Sequence, residues 1–172
     1  VANNANAGAA WIFRKNPDSL VWEAKHKFLG PIAGDEFGLS VSISHDGTFV
    51  AISSIRNNSF QGKVYVYKQT GTDGSQWDSG QTLVASDGAS NHDFGLQVNL
   101  SADGNYLIVG AYKEDGGTGG TNSGAAYVFH RNGADGANQW DSNHYKLENS
   151  NAVGDSRFGS SVSISEDGTY VI

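Results

Sequence analysis

Three segments of this chain carry one pattern. The stretch "FGLSVSISHDGTFVAIS" (residues 37–53) returns as "FGLQVNLSADGNYLIVG" (94–110) and as "FGSSVSISEDGTYVI" (158–172). A second element, "GKVYVYKQ" (62–69), recurs as "GAAYVFHR" (124–131) and stands near the chain start as "GAAWIFRK" (8–15). A third places a Trp before an extended segment: "WEAKHKFLG" from Trp22, "WDSGQTLVAS" from Trp77 and "WDSNHYKLENS" from Trp140. Phe37 and Phe94 lie 57 residues apart and Phe94 and Phe158 lie 64 apart, the longer interval holding the insertion "KEDGGTGGTNSG" (113–124). Three landmarks in one order, each present three times, require a repeat architecture, in which each unit buries its apolar face only against a neighbour.

Each unit reads as four short strands. In the first, residues 41–44 alternate apolar and polar. An Asp46-Gly47 turn of the kind that fits the right-handed twist of a hairpin follows, and residues 48–52, 63–67 and about 81–84 supply the other three. β-branched and aromatic residues dominate all four. Composition agrees: 23 Gly against 2 Pro, with 17% charged residues, favours tight turns over long helices. A four-stranded antiparallel repeat of ~50 residues is the size of a propeller blade. The expectation is therefore an all-β propeller with three blade equivalents, split as 34–90, 91–156 and one blade shared between 1–33 and 157–172.

The residues that carry the repeat resemble the FG-GAP repeat, the blade sequence of integrin α-subunit propellers. Phe37-Gly38, Phe94-Gly95 and Phe158-Gly159 precede alternating strands, and "IVGA" (108–111) and "NSGAAYVF" (122–129) follow the same pattern. Lys146-Leu147 with Ser150, Asp155 and Phe158-Gly159 matches the variant that runs from "KL-x-x-S" into Asp and Phe-Gly. The resemblance covers nearly the whole chain. It implies an extracellular or cell-surface location and a role in adhesion, ligand binding or structural assembly, without catalysis. Only the middle unit keeps Gly-Ala, as Gly110-Ala111. The alternating-Asp calcium loop of integrin-type blades is absent from all three units, so no cofactor is expected. Ca²⁺ through the hard oxygens of Asp115 and Asn122 is the one metal candidate.

Other candidates have structural alternatives. Trp77 and Trp140, with Trp22, would serve as stacking platforms for sugars, but recurrence once per unit favours closing a blade edge. The repeated Phe before Gly reads as core, with Gly allowing close backbone approach, and Trp11 reads as packing. Five His residues share no repeat position. Asn57 heads a glycosylation sequon in a polar loop; the sequon at Asn99 lies inside an innermost strand and is expected to be idle. Eleven basic against eighteen acidic residues give −7, which disfavours nucleic acid and anionic lipid as partners, and no run is long enough to span a membrane. Extracellular protein or glycan remain as partners, the glycan reading being a lectin with aromatic inter-blade pockets.

The chain has no Met and begins at Val1, which implies a processed chain or an excerpt. "TYVI" (169–172) followed by residues 1–13 reproduces the order of residues 105–129, so the termini read as two halves of one blade. Unpaired strand edges recruit other strands. The expected partner is a second copy joined head to tail, or the remaining blades of a longer chain.

Overall fold

The structure is a computed structural model and describes residues 7–115, 120–133 and 137–172. The expected junction at Val1 lies outside them, as does most of the glycine run at 116–120. The chain is all-β: one antiparallel sheet of two strands and two of four. β1 (Ala9–Lys15) pairs with β2 (Trp22–Leu29). β3 (Phe37–Ile43), β4 (Phe49–Ser54), β5 (Lys63–Lys68) and β6 (Gln81–Leu83) form the second sheet in sequential order. β7 (Val98–Leu100), β8 (Tyr106–Ala111), β9 (Ala125–Arg131) and β10 (Trp140–Leu147) form the third. The one helix among the described residues, α1 (Asn57–Phe60), is an irregular turn with left-handed backbone at Asn58 and Ser59. No helix among them is long and apolar enough to cross a membrane.

The hairpin turns differ from the expected tight Asp-Gly type. The Ser44 amide donates to the Phe49 carbonyl and the Gly47 amide donates to Ser44. Gly47 alone of the pair has positive φ, whereas a type I′ turn needs it at both central residues. The extra length is held by Asp46, whose carboxylate accepts from the Ser44 hydroxyl at 2.7 Å and the Thr48 amide at 2.9 Å. Ser101 with Asp103 and Ser165 with Asp167 repeat this arrangement. The Asp is a cap for a wider loop, which the dipeptide alone does not reveal.

Alternation along the strands gives each sheet two apolar faces, and the sheets stack through them. Phe49, Ala51, Val64, Val66 and Leu83 of the second sheet share a buried cluster with Val98, Leu100, Leu107, Val109, Tyr127 and Phe129 of the third. Each Val, Leu or Phe side chain among them contributes about 1.5–3 kcal/mol on full burial. Val50 and Ile52, on the opposite face of β4, pack with Phe28, Ala10 and Ile12 of the first sheet. Ile108 and Ala126 pack with Val162 and Ile164 of the C-terminal hairpin, residues 161–172. Glycine sets the closest approach between neighbours. A Cβ on Gly8, Gly62 or Gly124 would lie 2.0, 2.0 or 2.1 Å from the carbonyl oxygen of Phe37, Phe94 or Phe158 respectively.

Phe37 and Phe94 are buried as expected, but Phe158 is exposed. Trp11 also departs from the packing expected of it. It holds the position of Tyr65 and Tyr127, yet is 52% exposed, with Lys27 Nζ 4.8 Å above its ring. Its face of β1 has no sheet against it among the described residues.

Candidate functional site

The strand-one positions do more than alternate. Ser40 and Ser42 of β3 turn their hydroxyls to the third sheet, where Oγ accepts from the amides of Val98 (3.1 Å) and Leu100 (2.9 Å). Asn99 of β7 repeats this one step on, its Oδ1 accepting from the Ile164 amide at 3.0 Å. At the hairpin tips the His45 amide donates to the Ala102 carbonyl and the Ala102 amide to the Glu166 carbonyl, both at 2.9 Å. The free edges of β7 and of the C-terminal hairpin are thus met by the unit before each, without strand pairing. The polar alternation was visible in sequence, but its partner 58 residues away was not.

The sequence candidates are placed as follows. Trp140 is buried in the cluster between the four-stranded sheets, its indole N–H on Asn138 Oδ1 at 2.9 Å. Its backbone exchanges two hydrogen bonds with the Gln81 side chain of the neighbouring sheet. Trp77 donates to the Gly74 carbonyl at 2.9 Å and meets Phe28 edge-on, ring centres 5.5 Å apart. Both join adjacent sheets; Trp140 is buried, while Trp77 is partly buried and lines a small open pocket. Trp22 is exposed at the start of β2. Asp115 Oδ1 accepts the Asn122 amide at 2.8 Å, and Asn122 Nδ2 donates to Asp155 at 3.0 Å. The first bond joins Asp115 to Asn122 and the second ties Asn122 to Asp155, and no group of three or more acids and histidines among the described residues could hold a metal.

Asn57 is only 8% exposed, and its Nδ2 donates to Asp35 Oδ2 at 2.6 Å. A glycan on that nitrogen is incompatible with this folded arrangement. The local sequence reads as a polar loop, and nothing in it reveals the bond to an acid 22 residues earlier. Two of the histidines take part in packing. His92 is buried, and the His144 ring packs on Tyr127 and Phe129.

One charged cluster stands out. Lys146 Nζ lies 2.7, 2.9 and 2.8 Å from carboxylate oxygens of Asp87, Glu114 and Glu148. Burial alone would lower its pKa; hydrogen bonds to the three acids outweigh that and raise it. Asp87 also accepts from the Tyr127 hydroxyl at 2.8 Å, and burial followed by that contact raises the tyrosine pKa. With the cation shared among three acids, this is a clamp between units rather than a reactive centre.

An open, mainly apolar groove lies beside β3. It has a volume of about 410 Å³ and runs between β1 and the β3–β4 hairpin, lined by Ile12, Val41, Ile43, Val50 and Ile52 among others. Val41 and Ile43 on its floor are 58% and 53% exposed. Their counterparts in the third sheet, Val98 and Leu100, are buried against β3 and β4.

The sequence model of the FG-GAP repeat family matches residues 31–67 and 77–129, just over half of the chain. No curated protein matches it in sequence.

Proposed function

This chain belongs to the FG-GAP repeat family, and from that premise we propose that its sheets are successive blades of a non-enzymatic β-propeller. Its work is extracellular: adhesion, ligand binding or structural assembly. The supporting observation is the recurring step between neighbours. Ser40 and Ser42 cap the amides of Val98 and Leu100, and Asn99 caps Ile164 in the same register. A stacking rule that repeats unit after unit, with strand one always innermost, is the rule of a ring of blades. The occurrence of FG-GAP repeats in extracellular and surface proteins supports the location. β3 and β7 carry Ser and Asn but no acid, which speaks against a hydrolase with carboxylates converging on a central channel.

Small-angle scattering of the chain tests the arrangement. The curve should fit sheets rotated about one axis with β3 and β7 nearest it; a curve that fits only a flat two-layer slab overturns the reading. A lectin is the alternative within the same architecture, and a glycan array separates the two. Binding abolished by Trp77→Ala in a folded chain would establish the lectin, whereas an empty array is expected here because Trp140 is buried and Trp77 packs edge-on against Phe28.

A further inference from the structure

We infer that the groove over β3 is the seat of residues 161–172 from a second copy of this chain, the two copies joining head to tail. The inference rests on the reading of the sheets as blades, and deepens it by naming a partner. The first argument is register. Val41 pairs with Ile52 as Val98 pairs with Val109, and Ile43 with Val50 as Leu100 with Leu107. The amides of Val98 and Leu100 point away from β8 to Ser40 and Ser42, so those of Val41 and Ile43 point away from β4 into the groove. Counted from the Phe-Gly landmarks, the residues equivalent to Ser40 and Ser42 in the C-terminal hairpin are Ser161 and Ser163. They are serines again, the pair of acceptors the groove requires.

The apolar faces agree. Tyr106 and Ile108 pack on Val162 and Ile164 within the chain. Their equivalents, Tyr170 and Ile172, are 75% and 90% exposed, and the equivalents of Val162 and Ile164 are Val41 and Ile43 on the groove floor. At the tip, His45 donates to Ala102 and Ala102 to Glu166; the next step in that series is the Glu166 amide donating to the His45 carbonyl of the second copy. The outer half of the seam matches too. Trp11 and Phe13, both exposed, hold the positions of Tyr127 and Phe129, which pack on Val64, Val66 and Leu83. The equivalent positions in the second copy are Ala126, Val128 and Leu147, beside its C-terminal hairpin, of which Val128 and Leu147 are only partly buried. Two such seams close two chains into a ring of six blades, within the usual range of about 4–8.

Light scattering on the 172-residue chain should give about 36 kDa, twice 18.2 kDa. Val41→Asp and Tyr170→Asp alter exposed positions at opposite sides of the seam, and each should yield a folded monomer with an unchanged circular dichroism spectrum. Because the chain holds no cysteine, mixing a Val41→Cys chain with an Ile172→Cys chain and adding a short bismaleimide should give a covalent pair absent from either chain alone. A wild-type monomer at tens of micromolar, or a dimer indifferent to both charges and to the cross-linker, overturns the second-copy seat. If that monomer still scatters as an arc of stacked sheets, the blade reading survives the loss; a slab-like curve removes both.

Discussion

Leu100 in the third sheet donates its backbone N–H to the hydroxyl of Ser42 in the second, at 2.9 Å. The bond gives a buried strand edge its partner without another strand, and so lets one unit follow another by stacking. Ser42→Ala removes the acceptor and leaves the Leu100 amide buried and unpaired, at a cost of about 1–2 kcal/mol. For a chain of this size the melting temperature should fall by roughly 2–4 °C per kcal/mol. A Ser42→Thr chain, which keeps a hydroxyl on β-branched strand chemistry, should recover most of the loss.

Gly62 and Gly34 separate crowding from backbone strain. Both have positive φ, but a Cβ on Gly62 would lie 2.0 Å from the Phe94 carbonyl oxygen, while nothing lies within 4 Å of one on Gly34. Gly34→Ala should cost about 1 kcal/mol, the left-handed backbone penalty for an L-residue. Gly62→Ala forces two sheets apart and should cost more than about 3 kcal/mol. Equal urea midpoints for the two variants would show that the sheets do not approach through Gly62.

Lys146→Met tests the clamp on Asp87, Glu114 and Glu148. Removing the cation leaves acids facing one another, two of them partly exposed and Glu114 buried. A destabilisation of about 2–4 kcal/mol is expected, below the full value for a deeply buried pair because Lys146 retains some solvent contact. Urea midpoints read it directly.

The hairpin carboxylates predict acid sensitivity. Hydrogen bonds from the Ser165 hydroxyl and the Thr169 amide hold Asp167 down to about 2, against an ordinary value of 3.8. At Asp46 and Asp103 burial pushes the pKa up, but the equivalent hydrogen bonds outweigh it and the net shift is downward. A carboxyl held low stabilises the fold above its ordinary value and loses that contribution as pH falls through its native value. The urea midpoint should therefore hold on approach from neutral pH and fall between about pH 4 and about pH 2. Asp103→Asn should make that fall shallower.

Folding should not depend on metal. Asp115 Oδ1 already accepts the Asn122 amide, and the Asn122 side chain is turned through Nδ2 to Asp155. EDTA should move the melting temperature by less than about 5 °C, roughly 1–2.5 kcal/mol at this size. A larger drop would reveal a structural ion.

Much of this fold was legible in the residues. β5 begins at Lys63 and β6 at Gln81 as alternation and β-branched content indicate, because those strands are buried on local patterns. What escaped depends on contacts across sheets. Asn57 looks like a loop residue until Asp35 is brought to it. Trp11 looks like core until its face is found half exposed, with no sheet against it among the described residues. The Ser40 and Ser42 hydroxyls look like strand polarity until the amides they cap arrive from the next unit.

A crystal structure of the 172-residue chain tests the central claim most directly. The account predicts β3, β7 and residues 163–165 nearest one common axis, with Ser40, Ser42 and Asn99 each capping the following sheet around it. Sheets packed as a flat sandwich, or with β6 and β10 nearest the axis, would contradict it.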